Sequence, residues 1–494
     1  MYNEFATKHY KGKWPCTTKT LYNENSLIGR LHKYFLTYFA TFSVPTAETL
    51  FLLVLSILAL KSAHSIKFLY QHFLAGITEK SLNTFYHACS YAKADYSRFM
   101  NVTAKIALHL IPEQLKSQPV FLCIDDTMIS KFGTKFENVS KLFDHAAHNG
   151  CNYLNGHCFV SLMLCVPVWN HDKISYFAVP LWYRMWQKKE SKLELAASMV
   201  RQVMPEFSSQ KNVIILCDSW YTKQNLVSIV EEYPNLNLIG NARADSVIYD
   251  LAPAPTGRKG RHAKHGKRLS ADDDFTLSDE KINGYYIGVR RVLTNLFGSR
   301  EVLAYVTTPE KNSCTRRLFF STIFPEQLQI FCAWQEKPPL NQTGSEWFQY
   351  IPLFLYSCRW NIEISYYEQK TFWSLCSYMV RNSKGIEMLI NLINISYSSM
   401  RLLPYVDDKF AGYRNKSVQD FRFALSEGIR SQVFFATFVQ KVETQIKSTS
   451  VITALKQALG KIWVIYKVVK WCYYISPNLL FATLIIVNRY WVRN

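Results

Sequence analysis

The sequence lacks an uninterrupted apolar run long enough to cross a membrane, which takes about 20 residues in a helix. Its most apolar segments are Thr49–Leu60 (TLFLLVLSILAL) and Tyr473–Val487, and both are shorter than that. Glu48 and Lys61 bracket the first segment, and Pro477 interrupts the second. We therefore expect both segments to form buried helices, and we expect no membrane partner.

The sequence also lacks any Cys-x-x-Cys pair among its 12 cysteines. Its first residues, MYNEFATKHYKGKW, are polar and basic and do not resemble a secretory signal. These features predict reduced thiols in a cytoplasm. Histidines and cysteines gather in HAAHNGCNYLNGHC, but their spacings fit no zinc-finger pattern, so we do not expect zinc there. The residues concerned are His145, His148, Cys151, His157 and Cys158.

Acidic residues are scarce relative to basic ones. The chain has 37 Asp and Glu against 57 Lys and Arg, which gives a net charge of +20. A surplus of this size favours a polyanionic partner such as nucleic acid, although a merely basic soluble protein is the alternative. Hydrophobic residues make up 49% of the 494 residues, so we do not expect a disordered chain.

The N-terminal region, residues 1–115, is predicted to be helical. Ala47–Leu74 and Glu79–Met100 carry apolar residues at helical spacing. Gly76 can end one helix and Ser81 can cap the next. Two helices joined by a short turn are compatible with a DNA-binding head and equally with an ordinary helical bundle.

Residues 116–242 read as an α/β region. The predicted order is β-β-β-α-β-α-β, which is that of a ribonuclease-H-like catalytic core once a further helix completes it. The predicted strands are residues 119–124, 157–169, 174–184, 212–217 and 236–242, and the helices are 193–204 and 222–233.

The completing helix is predicted within residues 346–385, after a β-rich insertion at residues 243–345. The insertion opens with a basic loop, Ala252–Arg268, and continues with three strand-like runs, GYYIGVRRVLT, REVLAYVTT and RRLFFSTIF. Residues 386–494 form a helical and basic C-terminal region.

Acidic residues occur at the three places where such a core would hold them. Asp125 and Asp126 end the first predicted strand, Asp218 ends the fourth, and Glu363 lies on the completing helix. Phosphodiester cleavage needs divalent ions, and magnesium prefers carboxylate oxygens. Each aspartate alone could be a turn or cap residue, but their order along the chain favours a catalytic set.

The segment YSCRWNIEISYYEQK adds polar residues to Glu363. Tyr356, Arg359, Glu363 and Lys370 are spaced i, i+3, i+7 and i+14. On one helix, at about 100° per residue, all four fall within a sector of roughly 60°. We expect Arg359 and Lys370 to neutralise phosphates beside the scissile bond, and the Tyr356 hydroxyl to donate to another phosphate.

The basic loop is a second candidate for DNA contact. Its cations could touch the DNA backbone or simply form a solvated surface, and we favour phosphate contact by a loop that orders on DNA. They are Arg258, Lys259, Arg261, Lys264, Lys267 and Arg268.

The motifs IDDT, the D-x-x-Y of Asp218 and Tyr221, and the Y-R-E-K set together resemble the bacterial DDE transposases of the "insertion sequence four" type. That resemblance implies cut-and-paste DNA transposition: Mg²⁺-dependent cleavage at the element ends, with Mn²⁺ as a possible substitute, and strand transfer into target DNA. It also implies a homodimer on DNA and a nucleoid-associated protein of the bacterial cytoplasm. An inactive, transposase-derived DNA-binding protein and a nuclease of the same fold are the alternatives.

The resemblance implies which residues bind the metal, but it leaves open whether Asp125 or Asp126 is one of them. It implies that Asp218 and Glu363 bind the metal with one of the adjacent aspartates, which alternate between the two faces of a strand. In the D-x-T form the acid two positions before the hydroxyl faces the site, which favours Asp125. Some relatives have the acid directly before the threonine, which favours Asp126. In members that excise through a hairpin, an extruded base could stack on Trp334 or Trp347, although each is more typical of a core residue.

Overall fold

A large mixed β-sheet with helices on both faces organises the chain in the computed structural model. The structure describes residues 23, 25–61, 65–93, 97–144, 152–170, 173–254, 262–313, 315–328 and 348–447. Several predictions concern residues outside these ranges: those for Tyr473–Val487, for Trp334 and Trp347, for Arg258, Lys259 and Arg261, and for His145, His148 and Cys151.

In the described part of the chain, five α-helices precede the sheet. They are α1 (Leu27–Phe39), α2 (Val44–Ala59), α3 (Ile66–His72), α4 (Leu82–Tyr91) and α5 (Ser97–His109). The apolar run Thr49–Leu60, predicted to be a buried helix, lies in α2 except for Leu60, which follows the helix, and the residues of α2 from Ala47 to Ala59 are buried. Of the helices in the described ranges, none combines the length and the apolar character that a membrane span requires.

These helices share one apolar core with the C-terminal helices α10 (Ser383–Val406) and α11 (Val418–Lys447). α2 packs against α1, α10 and α11, so apolar residues from the two ends of the described chain lie together. In the described residues the N-terminal helices thus pack together as a bundle against the sheet.

The central part of the sheet is built from six strands, β1 to β6. They are β1 (Val120–Ser130), β2 (Ser140–Phe143), β3 (Tyr153–Asn170), β4 (Lys173–Met185), β5 (Val213–Cys217) and β6 (Leu236–Ala242). β1 pairs antiparallel with β3 and parallel with β5, and β5 pairs parallel with β6. β4 and the short β2 both pair with β3. The mixed sheet is compatible with a ribonuclease-H-like fold.

The first strand is longer than the sequence predicts. We expected it to end at Asp125 and Asp126, but β1 continues to Ser130. The reason is its antiparallel partner, since pairing with β3 runs from Phe121 to Ser130. The parallel partner β5 reaches only Ile124, so Asp125 is the first residue of β1 beyond it.

Among the described residues beyond 243, three strands extend the same sheet. They are β9 (Tyr286–Val292), β10 (Val302–Thr308) and β11 (Arg317–Ser321), and they coincide with the three strand-like runs of the sequence. β11 pairs antiparallel with β6, β10 with β11, and β9 with β10. Two short strands, β7 (Ile248–Tyr249) and β8 (Arg268–Leu269), form a separate ribbon. The region therefore adds to the sheet itself.

The two faces of the sheet carry separate apolar cores because side chains alternate along each strand. On β1, Phe121 and Cys123 join the core that contains the helical bundle. Leu122 and Ile124 join the opposite core, which contains α6 (Lys192–Val203) and the short helix α7 (Gln224–Val227). α6 starts with a capping box, in which Ser191 and Glu194 satisfy each other's backbone N–H groups.

The Y-R-E-K segment is not the single α-helix that the spacing predicts. α8 (Ile351–Leu355) leads into a 3₁₀ turn, Tyr356–Arg359, which leads into α9 (Trp360–Phe372). Tyr356 and Arg359 therefore lie on the tighter 3₁₀ turn, while Glu363 and Lys370 lie on α9.

Candidate active site

Strand register brings Asp125 and Asp218 side by side. Ile124 of β1 is the partner of Cys217, the last residue of β5. The residue after each of these partners is an aspartate, so Asp125 and Asp218 stand at the same level, where β5 ends and β1 continues. Asp218 is held by its own loop, because its Oδ1 accepts the backbone N–H groups of Trp220 at 3.0 Å and Tyr221 at 3.1 Å.

Glu363 lies on the same side of the sheet as Asp125. The 3₁₀ turn before α9 packs against β1 and β5, and the thiol of Cys123 contacts the carbonyl oxygen of Cys358. Asp125 is two residues after Cys123 and shares its face of β1. The sheet thus supplies two carboxylates, and the helix packed on it supplies the third.

Arg359 links two of the three carboxylates, those of Asp125 and Glu363. Its Nη1 donates to Asp125 Oδ2 at 3.0 Å and lies 3.5 Å from Glu363 Oε1. The side chains of Arg359 and Asp125 are each 13% exposed, whereas that of Glu363 is 40% exposed. One guanidinium therefore bridges a buried carboxylate and a solvent-facing carboxylate.

The site carries an excess of buried negative charge. Burial raises the pKa of Asp125 well above its usual range, and repulsion from Asp218 and Glu363 raises it further, while Arg359 opposes both effects. Burial also raises the pKa of Asp218, against the hydrogen bond from the Tyr221 backbone. Three carboxylates and one guanidinium sum to a charge of −2 when all are ionised, so further positive charge would stabilise the ionised site.

Asp126 points to the opposite face and has its own partners. Lys192, at the start of α6, donates to its Oδ2 at 2.7 Å, and the thiol of Cys158 donates to the same oxygen at 2.9 Å. The Tyr221 hydroxyl donates to Oδ1 at 3.1 Å. Asp126 is thus neutralised by a lysine, whereas Asp125 lies with Asp218 and Glu363.

Tyr356 and Lys370 lie beside the site without joining the carboxylates. The Tyr356 hydroxyl donates to the carbonyl oxygen of Cys217 at 3.1 Å, so it fixes the 3₁₀ turn against the end of β5. Burial raises the pKa of Tyr356 above its usual value. Lys370 lies two turns beyond Glu363 on α9, with its Nζ 6.0 Å from the centre of the Tyr366 ring.

The described cations of the basic loop are exposed. Lys267 donates to Asp274 at 2.7 Å, and Arg268 lies on β8 beside Tyr249. Lys264 is exposed as well. The described members of the His/Cys cluster have structural partners instead of a shared ligand: His157 contacts the Tyr378 hydroxyl and the carbonyl oxygen of Glu137, and Cys158 binds Asp126 as above.

A cleft of about 360 Å³ adjoins Asp218, and the sequence did not reveal it. Its walls include Arg316 and Arg317 at the start of β11, together with Asn241, Arg359 and Trp360. The run Arg316–Arg317 was visible in the sequence as the start of a strand. Its place near Asp218 depends on the pairing of β11 with β6, which no local pattern indicates.

The chemistry of the three carboxylates fits a divalent cation such as Mg²⁺, because their donors are hard oxygens and two of them are buried. Their present spacing does not close around one ion: in the described ranges, no three His, Cys, Asp or Glu side chains are grouped as a metal site. Arg359, between Asp125 and Glu363, is the cation that the group holds here.

Comparison with known proteins gives one family. The family described as DDE superfamily endonuclease matches residues 45–291, half of the chain, and the match includes Asp125, Asp126 and Asp218 but stops before Glu363. Among curated proteins, none matches the chain. Members of this superfamily are generally divalent-metal-dependent nucleases that act on DNA. The matched half contains β1, β5 and the two aspartates that register brings together, and the chain belongs to the DDE superfamily endonucleases.

Proposed function

We propose that the protein is a DDE transposase of the "insertion sequence four" type, which cuts DNA at the ends of an insertion sequence and joins them to target DNA. The observation that carries this proposal is the meeting of Asp125, Asp218 and Glu363 beside Arg359. The Y-R-E-K residues that distinguish this type lie on the turn and helix that bring Glu363 to the sheet.

Each residue has a role in this proposal. Asp125, Asp218 and Glu363 would hold Mg²⁺, which when bound supplies Lewis-acid activation of the attacking oxygen and stabilisation of the leaving one. Arg359, which neutralises Asp125 here, would exchange part of that contact for a phosphate oxygen of the DNA. Lys370, further along α9, would contact a neighbouring phosphate, and Tyr356 would hold the turn in place through Cys217.

Other parts of the proposal rest on the resemblance. They are a homodimer on DNA, a choice of Mg²⁺ with Mn²⁺ as a substitute, a nucleoid-associated location in a bacterial cytoplasm, and phosphate contacts by the basic loop. A nuclease of the same fold is the second candidate, because the family description names an endonuclease and strand transfer is a separate property.

The test is cleavage and joining of DNA that carries the gene's own flanking ends. Wild type is compared with Glu363→Gln in Mg²⁺, and binding is measured in EDTA for both. Glu368→Gln is the matched control, since Glu368 lies on the same helix but accepts a hydrogen bond from Tyr397 away from the carboxylates. We expect wild type and Glu368→Gln to nick and join the ends, and Glu363→Gln to bind without cutting.

Three outcomes would change the assignment. Cutting without joining in the presence of target DNA would favour the nuclease. Binding without cutting by wild type, in either Mg²⁺ or Mn²⁺, would favour a DNA-binding protein of transposase descent. Equal cutting by wild type and Glu363→Gln would remove Glu363 from the metal ligands.

A further inference from the structure

We propose that the cleft between Asp218 and the start of β11 binds a phosphate of the DNA strand some nucleotides from the scissile phosphate, with Arg317 as the contact. This inference rests on the proposed function for its substrate, DNA. It adds a strand-positioning contact from the β-rich region to a site otherwise built from the core of the sheet.

The position of Arg317 follows from the sheet. Asp218 follows Cys217 of β5, which pairs with Gly240 of β6, so Asp218 stands level with Asn241. Asn241 in turn pairs with Phe319 of β11. Arg317 is two residues from Phe319 and shares its face of the strand.

This face of the sheet is the one that carries the candidate active site. The ring of Phe319 packs against the ring of Tyr356, with centres 5.1 Å apart, and Tyr356 belongs to the same turn as Arg359. Arg317 therefore projects on the side of the sheet where Arg359 meets Asp125. Two strand spacings of about 4.8 Å separate β5 from β11, and the two residues from Phe319 to Arg317 add about 7 Å along the strand, so the backbone of Arg317 lies roughly 12 Å from that of Asp218.

The charges of the cleft suit an anion. Three arginines and one carboxylate line it: Arg316, Arg317, Arg359 and Asp218. Arg316 is fixed, since its Nη1 donates to the carbonyl oxygen of Ala271 and its Nε lies 3.7 Å from Asp272. Arg317 is exposed, and within the described part of the chain no carboxylate pairs with it. Its guanidinium is available for a phosphate in bidentate geometry.

The distance limits which phosphate can be contacted. Phosphates along one strand of B-DNA follow one another at about 3.4 Å of axis rise, and they lie farther apart than this through space because the strand winds around the axis. Arg317 would therefore contact a phosphate a few nucleotides at most from the scissile one. A contact there would fix the register of the strand relative to the carboxylates without reading its bases.

The experiment measures binding of a 30-base-pair duplex of scrambled sequence, in EDTA, as a function of salt. Arg317→Ala is compared with wild type, Arg317→Lys and Arg291→Ala. Arg291 is the matched control: it lies on β9 of the same extension, is half exposed, and pairs with Glu326. All four proteins are first compared by thermal melting, which surface substitutions at these positions should leave unchanged.

We expect Arg317→Ala to weaken binding roughly tenfold and to reduce the slope of log affinity against log salt by about one. Arg317→Lys should keep the slope, because the charge remains, while losing part of the affinity. Arg291→Ala should behave as wild type.

Equal affinities and slopes for Arg317→Ala, Arg291→Ala and wild type would overturn the inference while leaving the transposase proposal intact. Loss of binding in Arg317→Ala together with a wild type that binds but never cuts would support the cleft and contradict the transposase. A wild type that does not bind DNA at all would overturn both.

Discussion

Arg359 Nη1 lies 3.0 Å from Asp125 Oδ2, joining the turn before α9 to the middle of β1 across 234 positions of the chain. The pair is formed by two side chains that are mostly withdrawn from water. Burial alone would lower the pKa of Arg359, but Tyr356, Asp125 and Glu363 raise it above its ordinary value. The guanidinium therefore stays charged, and it neutralises the carboxylate group around it.

Removing this arginine should destabilise the protein. Arg359→Ala leaves Asp125 buried without its cation, and breaking a buried pair in this way costs about 3 kcal/mol. The free energy of unfolding in urea at neutral pH, without divalent ions, measures the loss. Arg201→Ala is the control, because its pair with Glu232 is solvent-exposed and should be worth less than about 1 kcal/mol. Equal losses in the two variants would show that Asp125 does not depend on Arg359.

Substitutions of the two adjacent aspartates should have different effects on the rate of DNA cleavage. Asp125→Asn should lower DNA cleavage by about a hundredfold or more, since a metal ligand is worth several kcal/mol in the transition state. Asp126→Asn should retain cleavage within about tenfold, because Asp126 binds Lys192 and Tyr221 on the other face. Single-turnover rates in Mg²⁺ measure both. The reverse order would make Asp126 the ligand and would contradict the face assignment.

Divalent cations should raise the melting temperature of the DNA-free protein. The buried carboxylates repel one another, so an ion that binds only the folded state adds about 2.7 kcal/mol of stability at a hundred times its Kd. Thermal melts in EDTA and in Mg²⁺, Mn²⁺ or Ca²⁺ measure the shift. Asp218→Asn should abolish it, whereas Asp245→Asn, an exposed acid paired with Arg243, should keep it. A shift that survives in Asp218→Asn would place the ion elsewhere.

Glu387 should make stability depend on pH. It lies on α10, and burial raises its pKa to about 7 from 4.5, against the attraction of Arg184. The pKa of Glu387 is higher in the folded protein than in the unfolded one. Its contribution to the free energy of unfolding is therefore complete below pH 4.5 and is lost as the pH rises through about 7. The loss amounts to about 3 kcal/mol.

Urea unfolding of wild type and Glu387→Gln across this pH range tests the effect. The wild-type free energy of unfolding should fall more steeply than that of the variant, while Glu232→Gln, at a solvent-exposed ion pair, should follow wild type. Parallel curves for wild type and Glu387→Gln would mean that Glu387 titrates normally in the folded protein.

Much of the sheet could be predicted from the sequence because its strands are short apolar runs bounded by polar residues. Val213–Cys217 and Leu236–Ala242 lie where the runs predict them, and both are almost wholly buried. Asp218 could be found for the same reason, since it directly follows such a run. The end of β1 could not, because its last six residues are held by antiparallel pairing with β3, which no local pattern encodes.

The local sequence pattern also could not predict how the Y-R-E-K segment divides into a 3₁₀ turn and a helix. Helical spacing placed Arg359 and Glu363 on one face, and the ion pair joins both to Asp125. The 3₁₀ turn at Tyr356–Arg359 depends on tertiary contacts, among them the hydrogen bond from Tyr356 to Cys217. Lys192 and Arg317 carried no motif, and only the folded chain brings them to Asp126 and to the cleft.

The pairing of β11 with β6 has a consequence for how the sheet avoids edge-to-edge pairing with the strands of other chains. Without β11, the apolar strand Leu236–Ala242 would present an unpaired row of backbone N–H and C=O groups, which templates association with other chains. The strands beyond residue 243 move the sheet's boundary outward to β9, which carries Arg290 and Arg291. Charged side chains on a border strand discourage intermolecular pairing. The extension thus gives the sheet a charged, protected border as well as lining the cleft beside Asp218.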